Sequence, residues 1–109
     1  MILKVDCNDE GIGKTFQVIE KGGIAIFPTD TVYGIGCNPY NVNAVEKIYE
    51  IKSREKIKPL PVLAYSLDTV KQIARIDIFT EKIIKKYWPG PLTLILELTD
   101  KKLKKSLKL

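Results

Sequence analysis

The chain has 109 residues, 45% of them hydrophobic and 28% charged, with 18 Lys/Arg against 13 Asp/Glu and a formal net charge of +5. This is the balance of one small folded domain rather than a disordered chain, and no apolar run approaches the roughly 18 residues of a membrane span or forms a signal-peptide core, so a cytoplasmic protein is expected. Histidine is absent, which removes Ser-His-Asp and Cys-His nucleophile systems, His-based zinc sites and any imidazole base.

Ile2-Leu3-Lys4-Val5 is a short apolar run, expected as a first strand. Asn8 or Asp9 can cap a helix over residues 10–21 that places Ile12, Phe16 and Ile19 on one face, and Gly22-Gly23 ends it. Residues 24–27, Ile-Ala-Ile-Phe, read as a buried strand stopped by Pro28. Helix followed by strand in this manner suggests an α/β sheet. Residues 29–38 lack apolar periodicity and read as a loop with a short extended piece. Asn41 or Asn43 can cap the next helix, with Val45, Ile48 and Tyr49 on one side, fading near Ile51.

Residues 52–58 form a charged loop, and residues 59–65 read as a strand entered through proline. Ser66 is the expected cap of a helix over residues 67–74. Thr80 is the expected cap of another over residues 81–87, with Ile83, Ile84 and Tyr87 inward. Trp88-Pro89-Gly90-Pro91 is a sharp turn, since two prolines forbid helix on either side. Residues 92–98 are β-rich and mostly apolar, the clearest strand in the chain. The last ten residues hold five lysines and one aspartate, a charge of +4, so residues 1–99 net only +1. The basic character is a tail, expected to be a solvated connector rather than a nucleic-acid arm.

Gly11-Ile12-Gly13-Lys14-Thr15 ends like a phosphate-binding P-loop, but the full pattern needs glycine where Asn8 stands, and the stretch lies inside the expected helix. It is rejected. Cys7 and Cys37 have neither disulfide-framework nor metal-ligand spacing and read as reduced, small buried residues. Chemistry without histidine falls to Lys, Arg, carboxylates, hydroxyls and backbone groups, a set suited to anions.

Three segments carry that chemistry. Residues 28–36, Pro-Thr-Asp-Thr-Val-Tyr-Gly-Ile-Gly, follow a strand, where open α/β sheets place their ligands, and offer hydroxyls, a carboxylate, a phenol and two glycines that permit close backbone approach. Lys52-Ser53-Arg54, followed by Lys56 and Lys58, can gather over phosphate, although a charge run is ordinarily a solvated face and Glu55 partly offsets it. Trp88-Pro89-Gly90-Pro91-Leu92-Thr93 joins a helix to a strand, with Trp88 as packing anchor and the Thr93 hydroxyl at the strand's start.

The order and spacing of these segments resemble the Sua5/YciO/YrdC family over residues 15–98. The resemblance implies a twisted, open, mixed α/β sheet with flanking helices and a large basic cavity. It also implies L-threonylcarbamoyladenylate synthesis from L-threonine, bicarbonate and ATP, with Mg²⁺ accompanying ATP, for the t6A modification of tRNA. By the same resemblance Thr31 contacts L-threonine, near Tyr33, and Lys52 and Arg54 form the catalytic pair facing the ATP phosphates. Lys58 and Thr93 line the nucleotide site, while Leu63 stands where some members have histidine.

Family members continue past the strand at 92–98 with further strands and a Ser-x-Asn motif that completes the site. Residues 1–99 are therefore expected to be the first half of the domain and residues 100–109 a basic tail, in either a fragment or a shortened relative. Missing strands would leave an exposed sheet edge, a route to a homodimer. Two other readings stay open: an RNA-binding module without catalysis, and a carbamoyl-transfer domain related to hydrogenase maturation.

Overall fold

The computed structural model describes residues 2–108. The chain divides into two compact units, Met1–Pro59 and Leu60–Leu109. Among the described residues there are five helices and one two-stranded antiparallel sheet, an α/β composition as expected. No helix among them is long and apolar enough to cross a membrane.

In the first unit, α1 (Asp9–Glu20) begins at Asn8, whose side chain accepts from Gly11 N at 2.8 Å. Gly11 is buried, and a Cβ there would run into the Asp6 carbonyl oxygen, so the preceding chain can pass this close only over glycine. The P-loop lookalike thus lies inside a helix. Of the expected face only Ile19 is half-buried: Ile12 and Phe16 are 66% and 63% exposed, and the less exposed positions are Gly11, Thr15 and Ile19, a row at spacing four. Residues 2–5 form no strand, and Ile2 is 96% exposed. A strand exists only by pairing, and no described residue pairs with this run.

Helix α1 closes with the hydrogen bonds of a Schellman end: Gly22, at φ 89°, donates to Ile19 O at 3.0 Å and Gly23 donates to Val18 O at 2.8 Å. Strands β1 (Ala25–Pro28) and β2 (Tyr33–Gly36) then pair as a hairpin, with Phe27 opposite Gly34 and Pro28 opposite Tyr33. The expected buried strand is instead half-buried: Ala25 is buried while Ile26, on the other face, is 71% exposed. Helix α2 (Val42–Ile51) is capped by Asn41, which accepts from Ala44 N at 3.0 Å. It buries Ala44, Val45, Ile48 and Tyr49, the expected face.

In the second unit, Ser66 caps α3 (Leu67–Ile73) as expected, its Oγ accepting from Thr69 N at 3.3 Å. Helix α4 (Ile78–Tyr87) starts earlier than its sequence suggests. Asp77 accepts from Thr80 N at 2.7 Å and is the cap, leaving Thr80 inside the first turn; carboxylates cap at least as well as Thr. Of its expected inward face, Ile84 is buried, Ile83 is half-buried and Tyr87 is 52% exposed.

Residues 60–65 and 92–98 are not strands. The latter segment keeps the period of a strand, with Leu92, Leu94, Leu96 and Leu98 half-buried and Thr93, Ile95 and Glu97 exposed. It lacks the ladder, however, and its sole bridge joins Leu98 to Ala74, flanked by Arg75 N to Glu97 O and Thr99 N to Ile73 O, both 2.8 Å. The tail also departs from expectation. Asp100 accepts from Lys102 N and Leu103 N at 3.0 and 3.1 Å and starts α5 (Lys101–Leu107), which buries Leu103 and Ser106 while Lys101, Lys102 and Lys105 face solvent. The lysines are solvated; the segment is not a loose connector.

Candidate functional site

Two features of the first unit carry the expected site residues: the tip of the β1–β2 hairpin and the loop that leaves α2. At the tip, Thr29 closes the turn. Its backbone N donates to Val32 O at 3.2 Å, its hydroxyl also donates to Val32 O, and its Oγ1 accepts from Val32 N at 3.2 Å. Thr31 sits at the apex, its amide reaching Thr29 Oγ1 at 3.4 Å, and is exposed; Tyr33 follows at 75% exposure. The hairpin thus presents a hydroxyl and a phenol to solvent from a turn braced by Thr29.

The glycines of this segment have another use than ligand approach. A Cβ at Gly34 would lie 2.9 Å from Phe27 Cε2, and one at Gly36 3.1 Å from Phe27 Cε1. The absence of side chains at Gly34 and Gly36 lets the Phe27 ring lie across that face of β2.

The second feature grows out of the end of α2. Lys52 is the capping residue just past its end, and Ser53 adopts the left-handed conformation at φ 49°. Ser53 N donates to Glu50 O at 3.1 Å and Arg54 N to Tyr49 O at 2.9 Å, the same paired bonds that close α1. Arg54 is therefore fixed at its backbone by the way the helix stops. Its guanidinium is partly engaged as well: Nη2 donates to Pro59 O at 2.9 Å and Nε to Lys58 O at 3.4 Å. A further turn is set by Lys58 N donating to Glu55 O at 3.0 Å. Lys52, Lys56 and Lys58 are exposed on this short loop and Arg54 is half-buried, so four cationic groups stand within seven residues with Glu55 alone in opposition.

Thr93 and Leu63 belong to the second unit. Thr93 is exposed, beyond a turn in which Trp88 Nε1 donates to Leu92 O at 2.8 Å and the Trp88–Pro89 bond is cis. Leu63 is 83% exposed. A shallow depression of about 320 Å³ beside the start of α1 shares no residue with either feature. Lys4, Asp6, Glu10 and Lys14 line it with mixed charge, and Asn8 is committed to Gly11 N, so it does not compete as an anion site.

Cys7 is exposed and Cys37 half-buried, so the expectation of buried thiols fails for Cys7; burial pushes the Cys37 thiol up. Sequence reasoning missed Tyr49 and Asp100, whose polar atoms shape the loop and the tail. Tyr49 lay on a face assigned to packing, and Asp100 stood in a run read only for its charge.

The Sua5/YciO/YrdC family model, described as "Telomere recombination", matches residues 17–108. The chain belongs to the Sua5/YciO/YrdC family. A putative threonylcarbamoyl-AMP synthase of Methanocaldococcus jannaschii is 40% identical over 101 residues, covering 88% of this chain and 49% of that protein. The threonylcarbamoyl-AMP synthase of Bacillus subtilis is 36% identical over 94 residues, covering 85% of this chain and 27% of its own length. The crystal structure of Pyrococcus abyssi Sua5 complexed with L-threonine is similar at a TM-score of 0.72 and 25% identity, over 95% of this chain and 38% of that one. The chain spans about half the length of the first relative and about a quarter of the second. Both the hairpin and the basic loop fall inside the family match.

Proposed function

We propose that this chain supplies the phosphate-handling part of an L-threonylcarbamoyladenylate synthase, acting in the cytoplasm on L-threonine, bicarbonate and ATP for t6A modification of tRNA. The observation that carries the reading is the loop from Lys52 to Lys58, in which a helix end and two backbone carbonyls set the position of Arg54 among exposed lysines. Names of relatives 40% and 36% identical over most of the chain support it, as does a structural neighbour bound to L-threonine.

The reaction joins a carbamate oxygen to the α-phosphorus of ATP as pyrophosphate leaves, with no histidine needed. Lys52 and Arg54 are the assigned catalytic groups, with Lys58 and Thr93 on the nucleotide and Thr31 and Tyr33 on L-threonine. Arg54 has five N–H donors, of which two hold carbonyls, so three remain for phosphate oxygens. Mg²⁺ would accompany ATP as a hard cation suited to phosphate oxygens, neutralising charge as pyrophosphate leaves. Catalysis is then mainly positioning and fixed positive charge.

Arg54→Ala is expected to lower threonine-dependent pyrophosphate release by about 10²–10³, the usual effect of removing a pre-organised donor. Near-normal release from this variant sinks the assignment of Arg54. Two copies pairing along residues 92–98, which lack a ladder, is part of the same reading; a strictly monomeric sedimentation profile at high concentration counts against that part. The exposed lysines of α5 favour a second reading, tRNA binding without catalysis. In that case affinity falls steeply with salt and is lost when Lys101, Lys102 and Lys105 become glutamine.

A further inference from the structure

Tyr49 grips the basic loop at both of its ends. Its backbone carbonyl accepts from Arg54 N at 2.9 Å, and its hydroxyl donates to Lys58 O at 2.8 Å. The residue is only 7% exposed, so ring and hydroxyl are held by the packing of α2. A loop carrying four cations repels itself and tends to spread, and the groups that oppose spreading here are few. The Lys58 carbonyl, with two lone pairs, takes one bond from Tyr49 Oη and one from Arg54 Nε. The Tyr49 bond is the shorter of the two and comes from the side chain already fixed in the core.

We propose that Tyr49 is a positioning residue for anion binding: its hydroxyl holds the Lys58 end of the loop so that Lys52, Arg54 and Lys58 stand ready for a polyphosphate before it arrives. The inference rests on the reading that this loop binds the phosphates of ATP. Pre-organisation of this type strengthens binding by removing the ordering cost from the binding step. A free loop would have to assemble three like charges at that moment.

Tyr49→Phe keeps the buried ring and deletes one hydroxyl. It leaves the other half of the grip intact, because the Tyr49 carbonyl still accepts from Arg54 N. In the full chain, amide hydrogen exchange at Lys58 is expected to rise about five-fold, the worth of one hydrogen bond, while exchange at Arg54 stays as in the wild type. Affinity for inorganic tripolyphosphate, followed by amide shifts at residues 52–58, is expected to fall by a similar factor, with the urea midpoint of the unit lowered by no more than that one hydrogen bond accounts for.

Unchanged exchange at Lys58 overturns the proposal whether or not the anion binds. Equal acceleration at Arg54 and Lys58 together with a midpoint lowered by clearly more than one hydrogen bond accounts for also overturns it, since the hydroxyl would then be merely part of the core. Faster exchange at Lys58 with undiminished tripolyphosphate affinity shows that loop order is irrelevant to binding and refutes the positioning role alone. No saturable binding by the wild type removes the phosphate reading and the positioning role with it.

Discussion

Leu103→Ala separates a structural tail from an appended one. Leu103 is 1% exposed, the largest side chain in the chain that is fully buried. The other buried apolar residues of its unit are Val70, Ala74 and Ile84. A buried leucine cut to alanine costs about 2–5 kcal/mol, more where the surroundings cannot collapse into the gap. With so few buried neighbours of any size, little side chain is available to refill it. A unit the length of Leu60–Leu109, at about 0.1 kcal/mol per residue, holds roughly 5 kcal/mol in all. The substitution thus removes a large fraction of what keeps the second unit folded.

The assay is equilibrium urea unfolding read by the fluorescence of Trp88, the single tryptophan, which lies in that unit. At a slope of about 1–2 kcal/mol per molar, the midpoint should fall by at least roughly 1 M. Lys101→Gln, Lys102→Gln and Lys105→Gln, all at exposed positions of the same helix, should each stay within about 0.5 kcal/mol of the wild type. A Leu103→Ala midpoint within about 0.3 M of the wild type refutes the argument that α5 is integral. The outcome also bears on tests of RNA binding, because deleting residues 101–109 removes Leu103 as well as charge, whereas the glutamine substitutions remove charge alone.

Two further outcomes follow from local geometry. Ser53→Gly should stabilise the first unit by roughly 0.5–1 kcal/mol in a urea titration followed by amide signals of residues 42–58, since Ser53 occupies at φ 49° the position that glycine fills at φ 89° in the matching end of α1; a lower midpoint would show that the Ser53 side chain holds something the backbone argument leaves out. In α4, hydrogen bonds from the Thr80 backbone N–H and then its hydroxyl hold the Asp77 carboxyl below the usual range, and bonds from Lys71 and then Lys85 do the same for Glu81. Carboxyls depressed on folding stabilise above their unfolded pKa, about 4, and that contribution is lost as pH falls through the lower folded value. Asp77→Asn keeps a capping side chain and should leave stability at pH 7 almost unchanged while flattening its decline in acid. An unaltered acid limb would contradict the sign.

Much of the helical framework was legible because helix ends are written locally. Asn8, Asn41 and Ser66 each cap a helix that the apolar spacing also marks. Thr80 misled because two capping residues stand three apart, and the carboxylate wins. The strands were less legible because pairing is not a property of the strand's own residues. Residues 92–98 show the period of a sheet segment without its ladder, while residues 33–36, within a loop expected to hold a short extended piece, pair as a strand because Gly34 and Gly36 make room for Phe27. Of the candidate site, the basic loop could be found from charge alone, but not what holds it. The left-handed turn at Ser53 has no glycine to announce it, and the Tyr49 hydroxyl points to a carbonyl, which no side-chain pattern records.

The charge of the chain acquires a different meaning once the helices are placed. Lys104 and Lys105 sit in the last turn of α5, and Lys85 and Lys86 in the last turn of α4, while Asp100 and Asp77 stand at the respective starts. Each arrangement opposes the helix dipole with the sign that stabilises it, typically by 0.3–1 kcal/mol per charge at the surface. The last-turn lysines of both helices therefore have a structural use that asks for no polyanionic partner, whereas Lys101 and Lys102, in the first turn of α5, do not. Of the cations of the 52–58 loop, Lys52 stands at the end of α2 and shares that stabilisation, whereas Arg54, Lys56 and Lys58 crowd beyond the helix end, where it falls off. Their mutual repulsion is borne by hydrogen bonds from Tyr49 and Arg54 to backbone carbonyls. Charge concentrated against its own repulsion, and held there by buried scaffolding, is the arrangement an anion relieves. On the proposed function the anion-facing charge is that of the loop, although the tail supplies most of the net +5.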